Sequence, residues 1–283
     1  MALIRFLDTL KRHKFKYLFN IVLSVLFLLP FAWTLSTSLK KSKEIIKTPP
    51  EWIPSSITFE HYQEIWGMNN GLFQTYLFNT IVLTIISVLL IVLVGGLAGY
   101  GFSKLEIPFS KIFLLLILIA LMIPFQTLLI PLFSIMKSLN LLNTYLALII
   151  IYVTFHLPVA VFMMLNSFDA VPDAIRESAL IDGAGEFQIF FKLMIPLAWP
   201  GLATVAIHSA YTTWNDYIVA LVFTTTDDMR TLNIGLTNMA IGQYGNDWGL
   251  LTSGSIINFL PMIILFVFLQ RFFISGLTNG AVK

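Results

Sequence analysis

The residues able to do chemistry are few and scattered. His13, His61, His156 and His208 stand in separate segments, and none belongs to an H-E-x-x-H pair that would set two nitrogens on one helical face. No metal site is expected. The chain has zero cysteines, which removes disulfides, thiolate ligands and a thiol nucleophile and leaves the redox compartment unread. It also lacks a G-x-S-x-G elbow for acyl transfer, and without a Gly-Lys dipeptide no G-x-x-x-x-G-K-[ST] phosphate loop can form. The chain is not expected to be an enzyme. Its 17 basic and 15 acidic residues are spread thinly, without the basic stripe and interleaved aromatics of a nucleic-acid binder, so no nucleic acid is expected as partner.

Two polar groupings remain. Trp214-Asn215-Asp216-Tyr217 puts one acid inside an otherwise apolar span, where a charge is expensive and marks a pathway or gate. Near the outer interface the same residues equally suit an aromatic belt. Together with Asn79, Gln126 and His156, the residues Trp214, Asn215 and Asp216 form a candidate translocation path, since aromatic faces and amides suit a hydroxylated ring; each alone also serves as an interhelical hydrogen bond. The second grouping is the polar segment Val171 to Pro196. It has the marks of two short helices, with Pro172 at a first helical position, Asp173 and Glu177 near a positive helix end, and Gly183 or Gly185 as a left-handed stop. Glu186 starts the second helix, which Pro196 is expected to interrupt. Ile175, Ala179, Phe187, Phe190 and Met194 give these helices apolar faces that either cover the base of a bundle or dock a partner.

The elements that must position these groups are set by composition. Of 283 residues, 57% are hydrophobic and only 11% charged, against about 25% charged in soluble domains. An all-α, polytopic membrane helix bundle follows, forming one domain over 1–283. Its six spans are expected at about 18–36, 78–100, 112–136, 145–165, 197–223 and 254–274, with a cytoplasmic loop at 166–196 and external loops at 37–77 and 224–253. The basic N-terminal flank followed by an apolar run resembles a signal peptide, but the run is too long and no A-x-A site follows, so it is taken as the first span. With both termini cytoplasmic, 11 basic residues fall inside and 6 outside. Lys40, Lys41, Lys43 and Lys47 in the first external loop run against that bias. Pro30, Pro124, Pro131, Pro158 and Pro261 lie within spans, and Gly95 with Gly99 forms a GxxxG, features of a packed membrane bundle.

Glu177-Ser178-Ala179, Gly183, Leu193, Ile195 and Pro196 follow the E-A-A, three residues, G, nine residues, I-x-L-P pattern of permease subunits of ABC transporters, with Ser178 and Leu193 as small departures. Phe78-Asn79-Thr80, the run Leu141 to Leu148, Trp214 to Tyr217 and the ending Gly276 to Lys283 resemble the carbohydrate branch, specifically the smaller permease subunit of maltose-type importers. The resemblance implies a bacterial or archaeal inner-membrane protein that binds no cofactor itself, with ATP and Mg on a separate ATPase dimer. It implies that Glu177, Ser178, Ala179, Asp182, Gly183 and Ala184 seat in a cleft of that ATPase and couple it to the spans. Gln243, Tyr244, Gly245 and Asn246 would reach into the sugar cleft of an extracytoplasmic binding protein, and the tail Gly280, Ala281, Val282 and Lys283 would contact the ATPase. A second permease subunit, related but different, would complete the pathway. The competing expectation is a stand-alone ion- or proton-coupled transporter or channel, which needs buried ionisable relays where only Asp216 is available.

Overall fold

The computed structural model of the chain describes residues 14–68, 71–240 and 247–281, with the side chains of the last stretch described as far as Gln270. Among these residues every regular element is a helix. The chain divides into two compact units, one of Met1–Met68 with Leu236–Phe259 and the other of Asn69–Gly235 with Leu260–Lys283. Four described helices are long and apolar enough to cross a membrane, and six spans result if each of two bent helix pairs counts as one.

In the first unit, α1 (Lys14–Ser38) buries only Thr37 and Ser38 and leaves its apolar side chains exposed, as suits a helix whose solvent is lipid. The chain beyond it explains part of the opposing charge bias. Lys40 is 2% exposed, donates to the Glu51 carbonyl at 2.5 Å and lies 4.4 Å from the Trp33 ring centroid, so this cation is part of the fold. Lys47 pairs with Glu51 at 3.2 Å. The helix α2 (Glu60–Gly67) then buries His61 and Ile65, one turn apart, on a single face.

The second unit is built on α3 (Leu72–Lys104) and α6 (Tyr145–Asp169). Gly95 and Gly99 meet Ala160 and Met164 on the facing helix: a Cβ at 99 would lie 2.5 Å from Met164 Cβ and 2.8 Å from the Leu165 backbone nitrogen. Only the absence of a side chain permits that approach. Between these helices in sequence, the stretch expected as one span at 112–136 is two helices, α4 (Ser110–Met122) and α5 (Phe125–Ser138), bent by 99°. Pro124 explains the break, because its ring pushes the preceding residue out of helical space, and Ile123 is extended at φ −83°, ψ 116°.

After α6 come α7 (Asp173–Ile181), α8 (Glu186–Leu197) and α9 (Trp199–Trp214). The expected interruption at Pro196 occurs elsewhere. Residues Phe190–Met194 widen into a π turn, with the Ile195 N–H bonding the Phe190 carbonyl, so the carbonyls before Pro196 are displaced from its ring. The 79° bend falls instead at Ala198, followed by Pro200 near the start of α9, where a missing N–H costs no helical bond. The stretch expected as one span at 197–223 also stops at Trp214 and restarts as α10 (Ile218–Phe223). The last helices are α11 (Leu232–Ala240) and α12 (Trp248–Ala281).

Candidate functional site

The segment between α6 and α9 has one anchored face and one bare face. Within α7, Ala179 is buried and Ile175 packs on a core of Tyr100, Phe168, Phe190 and Met194. Asp173, Ala174, Glu177, Ser178, Ile181 and Asp182 are exposed, Ile181 at 86%. The helix ends in a Schellman motif. Gly183 N–H bonds the Leu180 carbonyl at 3.0 Å and Ala184 N–H bonds the Ala179 carbonyl at 2.9 Å. Gly183 holds φ +82°, a conformation that disfavours any side chain, and Ala184 turns inward onto the same core.

Polar contacts lock this elbow to the end of α3. Arg176 forks onto Glu186, its Nε at 3.3 Å from Oε2, while the Tyr100 hydroxyl donates to Glu186 at 2.6 Å. Lys104 donates to the Val171 carbonyl at 2.7 Å and to Asp173 at 2.5 Å. The Lys104 ammonium holds the Asp173 carboxyl below the usual carboxylate range, chiefly through that hydrogen bond. α7 and the turn after it are therefore tied to α3 through charged links as well as apolar packing. Tyr100 and Lys104 are not legible as site residues in the sequence because their partners lie in another segment, and Arg176 meets Glu186 only because the turn at Gly183 folds the two short helices together.

The second site surrounds Asp216. Expected within a continuous span, this acid stands at the break between α9 and α10 and caps the latter, accepting from the backbone N–H groups of Val219 at 3.2 Å and Ala220 at 3.0 Å. The Tyr152 hydroxyl donates to it at 2.8 Å. A cavity of about 260 Å³ opens beside it, lined by Tyr152, Phe155, His156 and Thr212 among others. The rings of His156 and His208, in separate sequence segments, lie 6.5 Å apart between centroids. Tyr152 and His156 are four residues apart on α6, a spacing that could have pointed to one side of this wall; Thr212 comes from α9 and Asp216 from just beyond its end.

The remaining candidate path residues are dispersed. Asn79 is buried and fully engaged, its amide donating to the carbonyls of Asp228 and Arg230, both at 2.8 Å, while its oxygen accepts from Tyr145 at 2.5 Å. It splices α3 to the segment before α11 and does not line the cavity. Gln126 is exposed on α5. Asn215 is exposed and donates back to the Tyr211 carbonyl at 2.9 Å, and Trp214 is buried with its carbonyl accepting from Asn233 at 2.8 Å. Gln243, Tyr244, Gly245 and Asn246 lie outside the described residues, as do Val282 and Lys283; Gly280 and Ala281 are described only as backbone of α12.

The sequence matches a family model described as the inner membrane component of binding-protein-dependent transport systems, over residues 91–279. Among curated proteins it is 39% identical to the arabinooligosaccharides transport system permease protein AraQ of Halalkalibacterium halodurans, over 81% of each chain. It is 33% identical to the sulfoquinovosyl glycerol transport system permease protein SmoH of Agrobacterium fabrum, over 90% of this chain and 89% of the relative. Among solved structures, a chain of a bacterial ABC transporter involved in import of the acidic polysaccharide alginate superposes with a TM-score of 0.79. That alignment covers 93% of this chain and 98% of the other at 24% identity, a likeness of fold.

Proposed function

We propose a carbohydrate transport role for this chain, which belongs to the family of binding-protein-dependent transport system inner membrane components. It is a multi-pass permease subunit of an ATP-binding-cassette importer, and its family is one of transport subunits rather than enzymes. The proposed solute is a sugar or oligosaccharide delivered by an extracytoplasmic binding protein, in keeping with relatives named for arabinooligosaccharides and sulfoquinovosyl glycerol. ATP and Mg act on a separate ATPase dimer, and a related second permease chain completes the path.

The observation that carries the coupling reading is the two-faced α7. Its inner side is fixed by Ala179 and by the Arg176 and Lys104 links, while Glu177, Ser178, Ile181 and Asp182 face outward with exposed Phe187 close by in sequence. A helix held on one side and bare on the other suits a cleft on a moving partner. Differential contact with that partner's open and closed states would supply the free energy that rearranges the spans. Glu177, Ser178, Ala179, Asp182, Gly183 and Ala184 form this docking element, which together with both termini is proposed to be cytoplasmic. Beside Asp216, the rings of Tyr152 and Phe155 offer stacking faces and the carboxylate a fixed acceptor, groups that suit a hydroxylated solute. Gln243 to Asn246 are proposed to meet the binding protein, and the end of the chain to meet the ATPase.

The chain has no native cysteine, so a Ser178→Cys variant can be tested cleanly. In vesicles carrying the assembled complex it should crosslink to the ATPase subunit and react with an impermeant reagent from the cytoplasmic side alone. Labelled oligosaccharides should be taken up with ATP while amino acids are not. Reaction of Ser178→Cys from outside intact cells would overturn the threading.

A further inference from the structure

We propose that His61, Glu64 and Asp247 bind a divalent transition-metal cation, with Zn2+ the best fit, and that the ion clips α2 to the start of α12. His61 and Glu64 are three residues apart on α2 and share a face; Asp247 immediately precedes α12. One ligand atom from each residue lies within 4.8 Å of the other two. That spacing leaves room for a cation, and Glu64, which is exposed, can rotate to close to the ligand distance of about 2.0–2.2 Å.

The histidine is what points to a metal. His61 is 2% exposed, and its Nε2 lies 2.9 Å from the Lys40 carbonyl oxygen. A carbonyl only accepts, so Nε2 carries the proton and Nδ1 presents a lone pair. That Nδ1 is buried with no hydrogen-bond partner. A ring N–H donated to a backbone carbonyl, with the opposite nitrogen left unprotonated, is how proteins orient histidine ligands. The ring is also held in place by Gly249, where an added Cβ would lie 2.2 Å from His61 Cε1. Asp247 is fixed in turn, its Oδ1 accepting from the Gly249 N–H at 2.8 Å and the Leu250 N–H at 3.0 Å, which leaves Oδ2 for the ion. Among the described residues neither acid is ion-paired with a lysine or arginine. One imidazole nitrogen and two carboxylate oxygens suit Zn2+ with an open fourth position for water, whereas Ca2+ prefers an all-oxygen shell.

Asp247 directly follows, in sequence, the residues proposed to meet the binding protein, so the ion would pin one root of that loop. This consequence rests on the functional reading above; the binding itself does not. The test uses the full chain in its purified complex, without a polyhistidine tag, stripped with a chelator and titrated with Zn2+ by calorimetry. One saturable Zn2+ per chain is expected, with a rise in the unfolding temperature on loading. Glu64→Gln, Asp247→Asn and His61→Gln should each weaken binding by about tenfold or more. Glu64→Gln, at an exposed position, should leave the metal-free unfolding temperature unchanged, which separates a lost ligand from a lost fold. Absence of stoichiometric Zn2+ binding, an affinity in all three variants unchanged from that of the unsubstituted chain, or tighter binding of Ca2+ than of Zn2+ would overturn the proposal. Because binding is read without transport, a failure of the sugar assignment would leave this result standing.

Discussion

The seam between α3 and α6 and the elbow that ends α7 both depend on glycine, for opposite physical reasons. At the seam, Gly99 has no room for a side chain, since an added Cβ would meet Met164 and the Leu165 backbone well inside contact distance. At the elbow, nothing lies within 4 Å of a Cβ built on Gly183, and the requirement is conformational, φ +82°. Lipid gives packed helices no hydrophobic drive, so the seam must gain its stability from close backbone approach. The elbow faces outward and must only hold a shape. One region is a rigid beam; the other is a fixed hook on its end.

The sharpest way to break this comparison is at the seam. Gly99→Val should cost about 3 kcal/mol by overpacking and remove most monodisperse protein, read by size-exclusion chromatography and thermal unfolding. Gly96→Ala is its internal control. There the nearest atoms to an added Cβ are Leu202 Cδ2 at 3.7 Å and Phe190 Cζ at 3.9 Å, ordinary contacts, so the change should stay within about 0.5 kcal/mol. Equal effects of the two substitutions would remove the seam from the account.

At the elbow the expected loss is of coupling. Gly183→Pro destroys the left-handed stop, and Glu177→Lys reverses a charge in the middle of the bare face. Both variants should insert and purify normally while ATP-driven uptake falls about tenfold, measured in reconstituted vesicles alongside ATP hydrolysis. Normal uptake by both would sink the docking assignment. Arg176→Gln should be milder. It removes the fork onto Glu186 but leaves the Tyr100 hydroxyl and the apolar face, so the segment should lose about 1 kcal/mol and become more protease-sensitive without unfolding the bundle.

The smallest effect is the pH response of the Lys104–Asp173 link. Asp173 has a lowered carboxyl pKa, so the contact is complete at neutral pH and is lost only as pH falls through that lowered value. A spin label on Ser178→Cys should therefore keep its mobility between pH 8 and 6 and loosen only in acid, below the ordinary aspartate range of about 4. Loosening near neutrality would mean that another group holds the elbow.

Much of this was open to sequence reading. Long uncharged windows call for helices, because hydropathy and i to i−4 bonding are local, and α1, α3, α6 and α12 lie across such windows. The Gly95 and Gly99 pair, and the stop at Gly183 after Glu177-Ser178-Ala179, could be recognised because each needs only a few neighbouring residues. The breaks were harder. Pro30, Pro131, Pro158 and Pro261 ride inside helices while Pro124 ends one, and Pro196 is absorbed by a π turn, so proline alone does not say where a helix bends. The outcome depends on what packs around the freed carbonyls.

What the sequence by itself determined was the class of the protein and the chemistry it lacks: an apolar helical chain, no phosphate loop, no cysteine, and one spaced motif on a short polar helix. The tertiary structure decided the partners. It spends Asn79 on splicing two segments, turns Asp216 from an acid buried in a span into a cap beside a cavity, and sets His61 and Glu64 beside Asp247 from the far end of the chain. A side chain's type limits what it can bond. Which atom it meets is fixed by contacts between segments distant in sequence, and those exist only once the helices have packed.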